Sequence, residues 1–248
     1  MSGHSKWSKI KRKKGANDAK RSKVWARITR DLMIAAREGG GNPDMNARLA
    51  MSVEKAKAEN MPKDNIDRAI KRGTGEIEGA DYVEVAYEGY GPHGVAFFVE
   101  VLTDNTNRSV ADIRHLFSKM GGNLGTSGSV AFQFDRKGLI EVPAGSLSES
   151  DLFDLVADAG AEDLELDDDM FTITTSVEAF GPVVSALSDA EVEPESASLV
   201  RIPSTTTALT PDEAGKVMRL MEMLEDHQDV QAVFTTLELD DAAIAAMS

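Results

Sequence analysis

The chain reads as α+β: a helical N-terminal bundle plus two α/β domains, one ferredoxin-like and inserted into the other. Three observations predict this. Apolar residues recur at helical spacing through the first third of the chain and switch to strict alternation at Tyr82. Residues 139–202 run strand, helix, strand, strand, helix, strand, the split βαβ order of ferredoxin-like domains. The block before them, 82–134, has strands and a helix but no closing helix and strand, and residues 205–248 supply both. The predicted domains are therefore a basic arm with three helices over 1–78, a split α/β domain over 79–134 plus 205–248, and an inserted ferredoxin-like domain over 135–204.

Residues 1–18 lack hydrophobic periodicity and read as a solvated arm. From Ala19 a helix is predicted, with Val24, Ile28 and Leu32 at i, i+4 and i+8. Gly39-Gly40-Gly41 stops it and Asn42-Pro43 starts a turn. Leu49, Val53 and Ala56 mark one face of a second helix ending near Asn60. Pro62 suits the first turn of a short third helix, which carries Ile66 and Ile70 and closes at Gly73.

Val83, Val85 and Tyr87 alternate with Glu84, Ala86 and Glu88, predicting a half-buried strand. Gly91-Pro92-His93-Gly94 turns the chain into Val95–Leu102, an apolar run suited to a central strand. Asn107 is placed to cap a helix facing the core with Val110, Ile113, Phe117 and Met120, and Gly121-Gly122 stops it. Val130, Phe132 and Phe134 alternate again as a strand. Beyond Arg136-Lys137-Gly138 come a strand at Leu139–Val142, a helix at Asp151–Ala159 and a strand at Asp163–Leu166. The acidic turn Asp167–Asp169 leads to a strand at Met170–Thr174, a helix at Val177–Asp189 and a strand at Ala197–Ile202. A Thr-rich strand candidate follows Pro203. A helix then opens on the capping box Thr210-Pro211-Asp212-Glu213 and buries Val217, Leu220, Met221 and Leu224. Val230–Leu239 is the last predicted strand.

Charge is distributed very unevenly along a chain whose formal net charge is −15. Residues 1–72 carry nineteen bases against eight acids, and the remaining 176 carry eight against thirty-four. Such polarity fits a polyphosphate ligand at one end, with the acidic remainder restricting its approach. Aromatics make up only 6%, so the cores should be aliphatic. There is no cysteine, which excludes disulfides, thiolate catalysis and Cys-type zinc sites and fits a reducing compartment. No apolar run approaches the ~20 residues that span a bilayer. The basic start has no apolar h-region of a secretory signal, and its Lys-Lys clusters break the amphipathic pattern of a transit peptide. A cytoplasmic protein is the expectation.

Several motifs dissolve on inspection. Gly89-Tyr90-Gly91-Pro92-His93-Gly94 spells G-x-G-x-x-G, but a strand follows where a dinucleotide fold needs a helix, so a hairpin turn is the better reading. Gly39–Gly41 has no Gly-Lys-Ser/Thr after it and is no P-loop. Gly121–Ser129, with four glycines, is either an anion pocket lined by backbone amides or a long helix-to-strand connection. His4, His93, His115 and His227 are scattered, without ligand spacing. The acidic runs Glu162–Asp169 and Glu222–Asp229 lack the EF-hand pattern and read as solvated faces. No metal, no cofactor and no enzymatic activity are expected.

The arm carries the chemistry. Lys6, Lys9, Lys11, Arg12, Lys13 and Lys14 interleave with Trp7 and Ile10, and Lys20, Arg21 and Lys23 continue onto the first helix. Trp7 offers a stacking plane for a base and the cations offer phosphate contacts. Eleven bases against the single acid Asp18 in thirty residues favour nucleic acid over a solubilising tail.

Several strings resemble the YebC family. They are Met1-Ser2-Gly3-His4-Ser5-Lys6-Trp7, Ala35-Ala36-Arg37-Glu38-Gly39-Gly40-Gly41-Asn42-Pro43, Asn60-Met61-Pro62-Lys63-Asp64-Asn65-Ile66, Tyr87-Glu88-Gly89-Tyr90-Gly91-Pro92, Gly121-Gly122-Asn123-Leu124-Gly125, and Leu224-Glu225-Asp226 with Asp229-Val230-Gln231. The likeness spans the chain and is weakest over 139–202. Thr236 departs from it, standing where the family usually has Asn. The resemblance implies a helical domain and two α/β domains, one inserted in the other, and a regulator of gene expression. Bacterial members are described as DNA-binding transcriptional regulators; mitochondrial and some bacterial relatives are described as translation factors on the ribosome. The residues leave both open. The third helix has Lys63, Arg68, Lys71 and Arg72 but little beyond Asn65 to read bases, so phosphate and shape recognition of DNA or rRNA is expected. A basic protein partner would suit the acidic domains; a membrane would not, and a monomer is expected.

Overall fold

A computed structural model describes residues 18–78, 82–145, 148–167 and 169–238. The described residues form two compact units, one built from Ala131–Ala208 and 234–238, the other from 18–130 and Leu209–Val233. In order, the elements are α1 (Asp18–Gly39), α2 (Ala47–Ala58), α3 (Lys63–Gly73), β1 (Val83–Tyr90), β2 (Ala96–Thr103), α4 (Thr106–Lys119) and β3 (Asn123–Leu124). They continue as β4 (Phe134–Pro143), α5 (Glu149–Asp158), β5 (Ala161–Asp167), β6 (Met170–Thr175), α6 (Val177–Asp189), β7 (Ser196–Pro203), α7 (Pro211–Glu225) and β8 (Val230–Thr235).

The predicted apolar stripes make the helical core: Ile28, Leu32, Leu49, Ala56 and Ile66 cluster, with Val24, Val53 and Ile70 at the margin. Gly40 ends α1 at φ +86, a conformation that side chains rarely adopt. The Asn46 amide then ties two helices together. Its oxygen accepts from Leu49 N at 3.1 Å as the cap of α2, and its nitrogen donates to the Ala35 and Gly40 carbonyls at 2.7 and 2.8 Å.

Two four-stranded sheets follow, ordered β3-β1-β2-β8 and β5-β6-β4-β7. The first takes edge strand β8 from beyond the whole of the second, so the second interrupts the first in sequence. All pairings in the second are antiparallel, in the ferredoxin-like order. In the first sheet Phe97 of β2 meets Phe117 of α4 edge-on, at 5.7 Å and 81°. α7 packs on α4 and buries Val217, Leu220, Met221 and Leu224. In the second, Ile140, Val142, Phe171 and Ile173 form a core with α5 and α6 through Leu152, Val156, Phe180 and Val183.

Four local expectations need correction. The cap of α4 is Asn105, whose side chain accepts from Arg108 N at 3.0 Å, and Asn107 lies inside the first turn. Residues 131–133 form a 3-10 turn that leaves Phe132 76% exposed, so the strand begins only at Phe134. Arg136-Lys137-Gly138 lies within β4, which runs unbroken to Pro143 where the sequence predicts a separate strand from Leu139. Gly138 is needed there because a Cβ would lie 2.3 Å from Thr175 Oγ1 and 2.4 Å from the Phe180 ring. The last strand stops at Thr235; from there the Thr236 carbonyl accepts from Thr207 N at 2.7 Å and Leu237 bridges Thr207.

Candidate nucleic-acid interface

Lys6, Trp7, Lys9, Lys11, Arg12, Lys13 and Lys14 lie outside the described residues, and Lys20, Arg21 and Lys23 fall on the opening turns of α1. Farther along α1 the arginines are engaged by the protein itself. Arg27 donates to the Glu225 carbonyl at the end of α7, and burial pushes its guanidinium down against the pull of Glu225 and Asp226. Arg30 donates to the Gln228 carbonyl, lies 3.7 Å from Asp229 and stacks over Tyr82 at 5.5 Å. Arg37 donates to the Tyr82 carbonyl at 3.2 Å. On α2, Arg48 pairs with Glu84 and, at 2.5 Å, with Glu38, and Lys55 faces Asp31 at 3.7 Å. Much of the basic character of α1 and α2 therefore clamps the bundle onto its neighbouring sheet.

α3 is different. Its inner face buries Ile66, Ala69 and Gly73. A Cβ at Gly73 would lie 2.3 Å from the Met33 carbonyl, so glycine lets α3 lie close on α1. The outer face exposes Lys63, Arg68, Lys71 and Arg72, which form no ion pair among the described residues. Lys71 and Arg72 sit in the last turn, where the helix dipole already favours cations. Asp64 and Asp67 share the surface, leaving a modest positive balance.

The glycine-rich loop after α4 does bind an anion, and that anion is the chain's own Glu88. This carboxylate is 4% exposed and accepts from Gly128 N at 2.7 Å and Val130 N at 2.8 Å. Gly125 N donates to the Glu88 carbonyl at 2.7 Å, and a Cβ at Gly122 would lie 2.5 Å from the Tyr90 carbonyl. Of the two readings of Gly121–Ser129, the connection holds, built around an internal carboxylate. Gly89–Gly94 is the β1–β2 hairpin, with Gly91 N bonded to the Val95 carbonyl at 2.8 Å and His93 at φ 58.

A second buried carboxylate corrects the reading of Glu222–Asp229 as wholly solvated. Asp229 is 1% exposed and accepts from Ser109 Oγ and Arg108 at 2.8 Å and from Thr103 Oγ1 at 3.1 Å. Burial pushes its carboxyl up, but the hydrogen bonds from Arg108 and Ser109 and the charge of Arg108 hold it below the ordinary carboxylate range. The partners are 120, 121 and 126 residues away, so no local spacing reveals the cluster. Only the dense polar string Thr103–Ser109 hints at it. Among the described residues no group of three or more His, Cys, Asp or Glu could hold a metal, and no helix is long and apolar enough to cross a membrane.

Comparisons with known proteins agree over the full chain. A family model described as the TACO1/YebC protein N-terminal domain matches residues 5–76, and one described as the TACO1/YebC second and third domain matches 82–237. A relative from Brachyspira hyodysenteriae, named a "probable transcriptional regulatory protein", is 52% identical over 98% of this chain and 99% of its own length. One of the same name from Chlorobaculum parvum is 48% identical, covering 100% of this chain and 99% of its own. The crystal structure of a conserved hypothetical protein from Aquifex aeolicus superposes with a TM-score of 0.83 at 43% identity, covering 90% of this chain and 93% of that one. The chain belongs to the TACO1/YebC family.

Proposed function

We propose that the protein is a non-enzymatic regulator of gene expression that binds nucleic acid through its N-terminal domain and works in the cytoplasm as a monomer. The observation that carries this is the outer face of α3, where Lys63, Arg68, Lys71 and Arg72 stand exposed, without ion pairs among the described residues, on the bundle that the basic arm leads into. Lys6, Trp7, Lys9, Lys11, Arg12, Lys13, Lys14, Lys20, Arg21 and Lys23 extend that charge in sequence. The names of the relatives support transcriptional regulation as the first reading, for which DNA would be the nucleic acid bound.

One observation favours a second reading, a translation factor bound to rRNA on the ribosome. Sequence readout uses amide and guanidinium pairs on an element that enters a groove. The exposed face of α3 offers two guanidiniums, Arg68 and Arg72, but no exposed amide, since Asn65 is half-buried, so its contacts are weighted to charge. Backbone and shape contacts of that kind suit structured RNA as well as DNA. Sedimentation of lysate through sucrose, combined with genomic footprinting, tests the pair. Arm-dependent co-migration with ribosomes without a preferred DNA site would reject transcriptional control. A reproducible promoter footprint from protein absent on ribosomes would reject the ribosome.

A further inference from the structure

α4 exposes the amide that α3 lacks. It rests on the first sheet through Ile113 and Phe117, both fully buried. Its outward lane presents Asn107, Ala111, Arg114 and Ser118, with His115 and Lys119 beside them, all exposed. Apart from Ala111, none of these side chains makes a hydrogen bond or ion pair among the described residues. Beyond residue 72 the chain is acidic, yet α4 carries three bases against the single acid Asp112. Asp112 is turned toward α7, where His227 lies 3.4 Å away. The exposed charges of α7 cancel, Asp212 and Glu222 against Lys216 and Arg219. A lane that is polar and positive, without a large apolar anchor, has the character of a nucleic-acid contact and not of a protein interface.

We infer that α4 enters the major groove of duplex DNA and reads base edges there, Asn107 on an adenine and Arg114 on a guanine. An amide pairs with adenine N6 and N7, and a guanidinium with guanine O6 and N7, each through two hydrogen bonds. Two helical turns separate Asn107 from Arg114, so they share one face about 10.5 Å apart along the axis. That is the rise of about three base pairs. Ala111 between them is small enough for close approach and can meet a thymine methyl. Ser118 and Lys119 are left for the sugar-phosphate backbone. A-form RNA is the poorer occupant, because side chains do not reach the bases of its narrow major groove. The inference rests on the reading of the protein as a nucleic-acid binder and adds to it a reader with a base preference.

The test is selection by the full chain from short duplexes with a random core, followed by anisotropy on the selected duplex, a scrambled duplex and a random-sequence single-stranded RNA. Selection should enrich a motif with an adenine and a guanine about three base pairs apart. Asn107→Ala should relax the adenine position and weaken the selected duplex about 10-fold. Arg114→Lys keeps the charge but loses the planar fork, so it should relax the guanine position and leave the scrambled duplex bound as before. Both positions are exposed, so melting temperatures should stay at the wild-type value. Lys63→Ala with Arg72→Ala on α3 should weaken both duplexes alike and leave the motif intact. A motif that survives both α4 substitutions, or no motif while the scrambled duplex is still bound, overturns readout by α4 and leaves the α3 reading standing. Tighter binding of the RNA than of the selected duplex overturns DNA as the occupant. Absence of binding to duplexes and RNA alike overturns the nucleic-acid reading together with the inference.

Discussion

Arg108 reaches back from the first turn of α4 to donate a 2.8 Å hydrogen bond to Asp229, which is 1% exposed at the entrance to β8. The bond joins the helix after β2 to a strand that enters the sheet from the far end of the chain. Arg30 of α1 stands 3.7 Å from the other carboxylate oxygen, so the same group also meets the helical bundle.

Asp229→Asn should therefore destabilise the protein by about 1.5–3 kcal/mol at pH 7, the range for hydrogen bonds to a charged group. The sign of the pH dependence follows from the depressed carboxyl. An unfolded Asp titrates near ~3.9, and the folded one below it. Between the two values the unfolded chain binds more protons, so stability rises with pH and is complete above ~4. It is lost as pH falls through the folded value. Urea midpoints of wild type and variant should converge in acid; a gap that stays constant from neutral to strongly acidic pH would refute the assignment.

Asp31 should behave in the opposite sense. Burial raises its carboxyl, and Lys55 and Arg48 pull it back only in part. The folded chain then holds the proton more tightly, so this group's contribution is present at low pH and lost as pH rises through the folded value above ~3.9. Asp31→Asn should gain stability relative to wild type on going from acid to neutral pH. A variant that loses ground over that interval would show that the Lys55 ion pair outweighs the burial.

What could be read in advance depends on the distance over which each feature is decided. α6 runs from Val177 to Asp189 as its local periodicity predicts, and the capping box of α7 forms between Thr210 and Glu213. These rest on neighbours three or four residues apart. Glu88 has the sequence signature of an ordinary outward residue of an alternating strand, yet it is buried because a loop some forty residues on folds its amides over it. Arg27 and Arg30 have the pattern of phosphate ligands and serve instead as clamps to the α7–β8 turn, 198 residues away. Gly138 falls between two predicted strands in the sequence, which does not show Phe180 lying against it within one continuous β4. The exposed cations of α3 are legible, since helical spacing alone separates them from Ile66 and Ile70.

Glu88→Ala should release the loop it holds. The buried Val130 N–H loses its acceptor, at about 1–3 kcal/mol before relaxation compensates, and the part-buried Gly128 N–H loses its own to water. Hydrogen exchange at Gly128 and Val130 should accelerate while β2 amides keep their protection. Acetate, a stand-in for the missing carboxylate, should partly restore the melting temperature. Unchanged exchange at both amides would show that the loop holds its shape without the carboxylate.

Nucleic-acid affinity should respond to α3. Lys63→Ala, Arg68→Ala, Lys71→Ala and Arg72→Ala combined should flatten the log–log salt dependence by up to ~0.9 for each phosphate no longer neutralised on duplex DNA, or ~0.7 on a single strand. The weakening should be equal for unrelated sequences, because phosphate contacts carry no sequence information. Replacing Lys11, Arg12, Lys13 and Lys14 by Ala should act in the same way, and together the two sets should approach additivity. An unchanged slope after the α3 substitutions would remove that face from the interface.

The interrupted topology yields the last expectation. Ser204 N donates to the Gln133 carbonyl at 2.8 Å, so the two ends of the second sheet meet where they leave it. We propose that this sheet and its helices are an autonomous insertion. Deleting Phe134–Pro203 and joining Gln133 to Ser204 through a short Gly/Ser linker should then leave the first sheet folded, because closing so small a gap costs little chain entropy. Its Phe97–Phe117 contact and the buried face of α7 lie wholly outside the deleted stretch. Ending the chain after Pro203 should do the reverse. It removes Val217, Leu220 and Leu224 from the core and leaves Thr103, Arg108 and Ser109 without Asp229. Amides of β1 and β2 should stay protected from exchange in the deletion and lose protection in the truncation. A truncated chain that melts cooperatively with those amides still protected would refute the split domain, and a deletion that unfolds it would refute the autonomy of the insert.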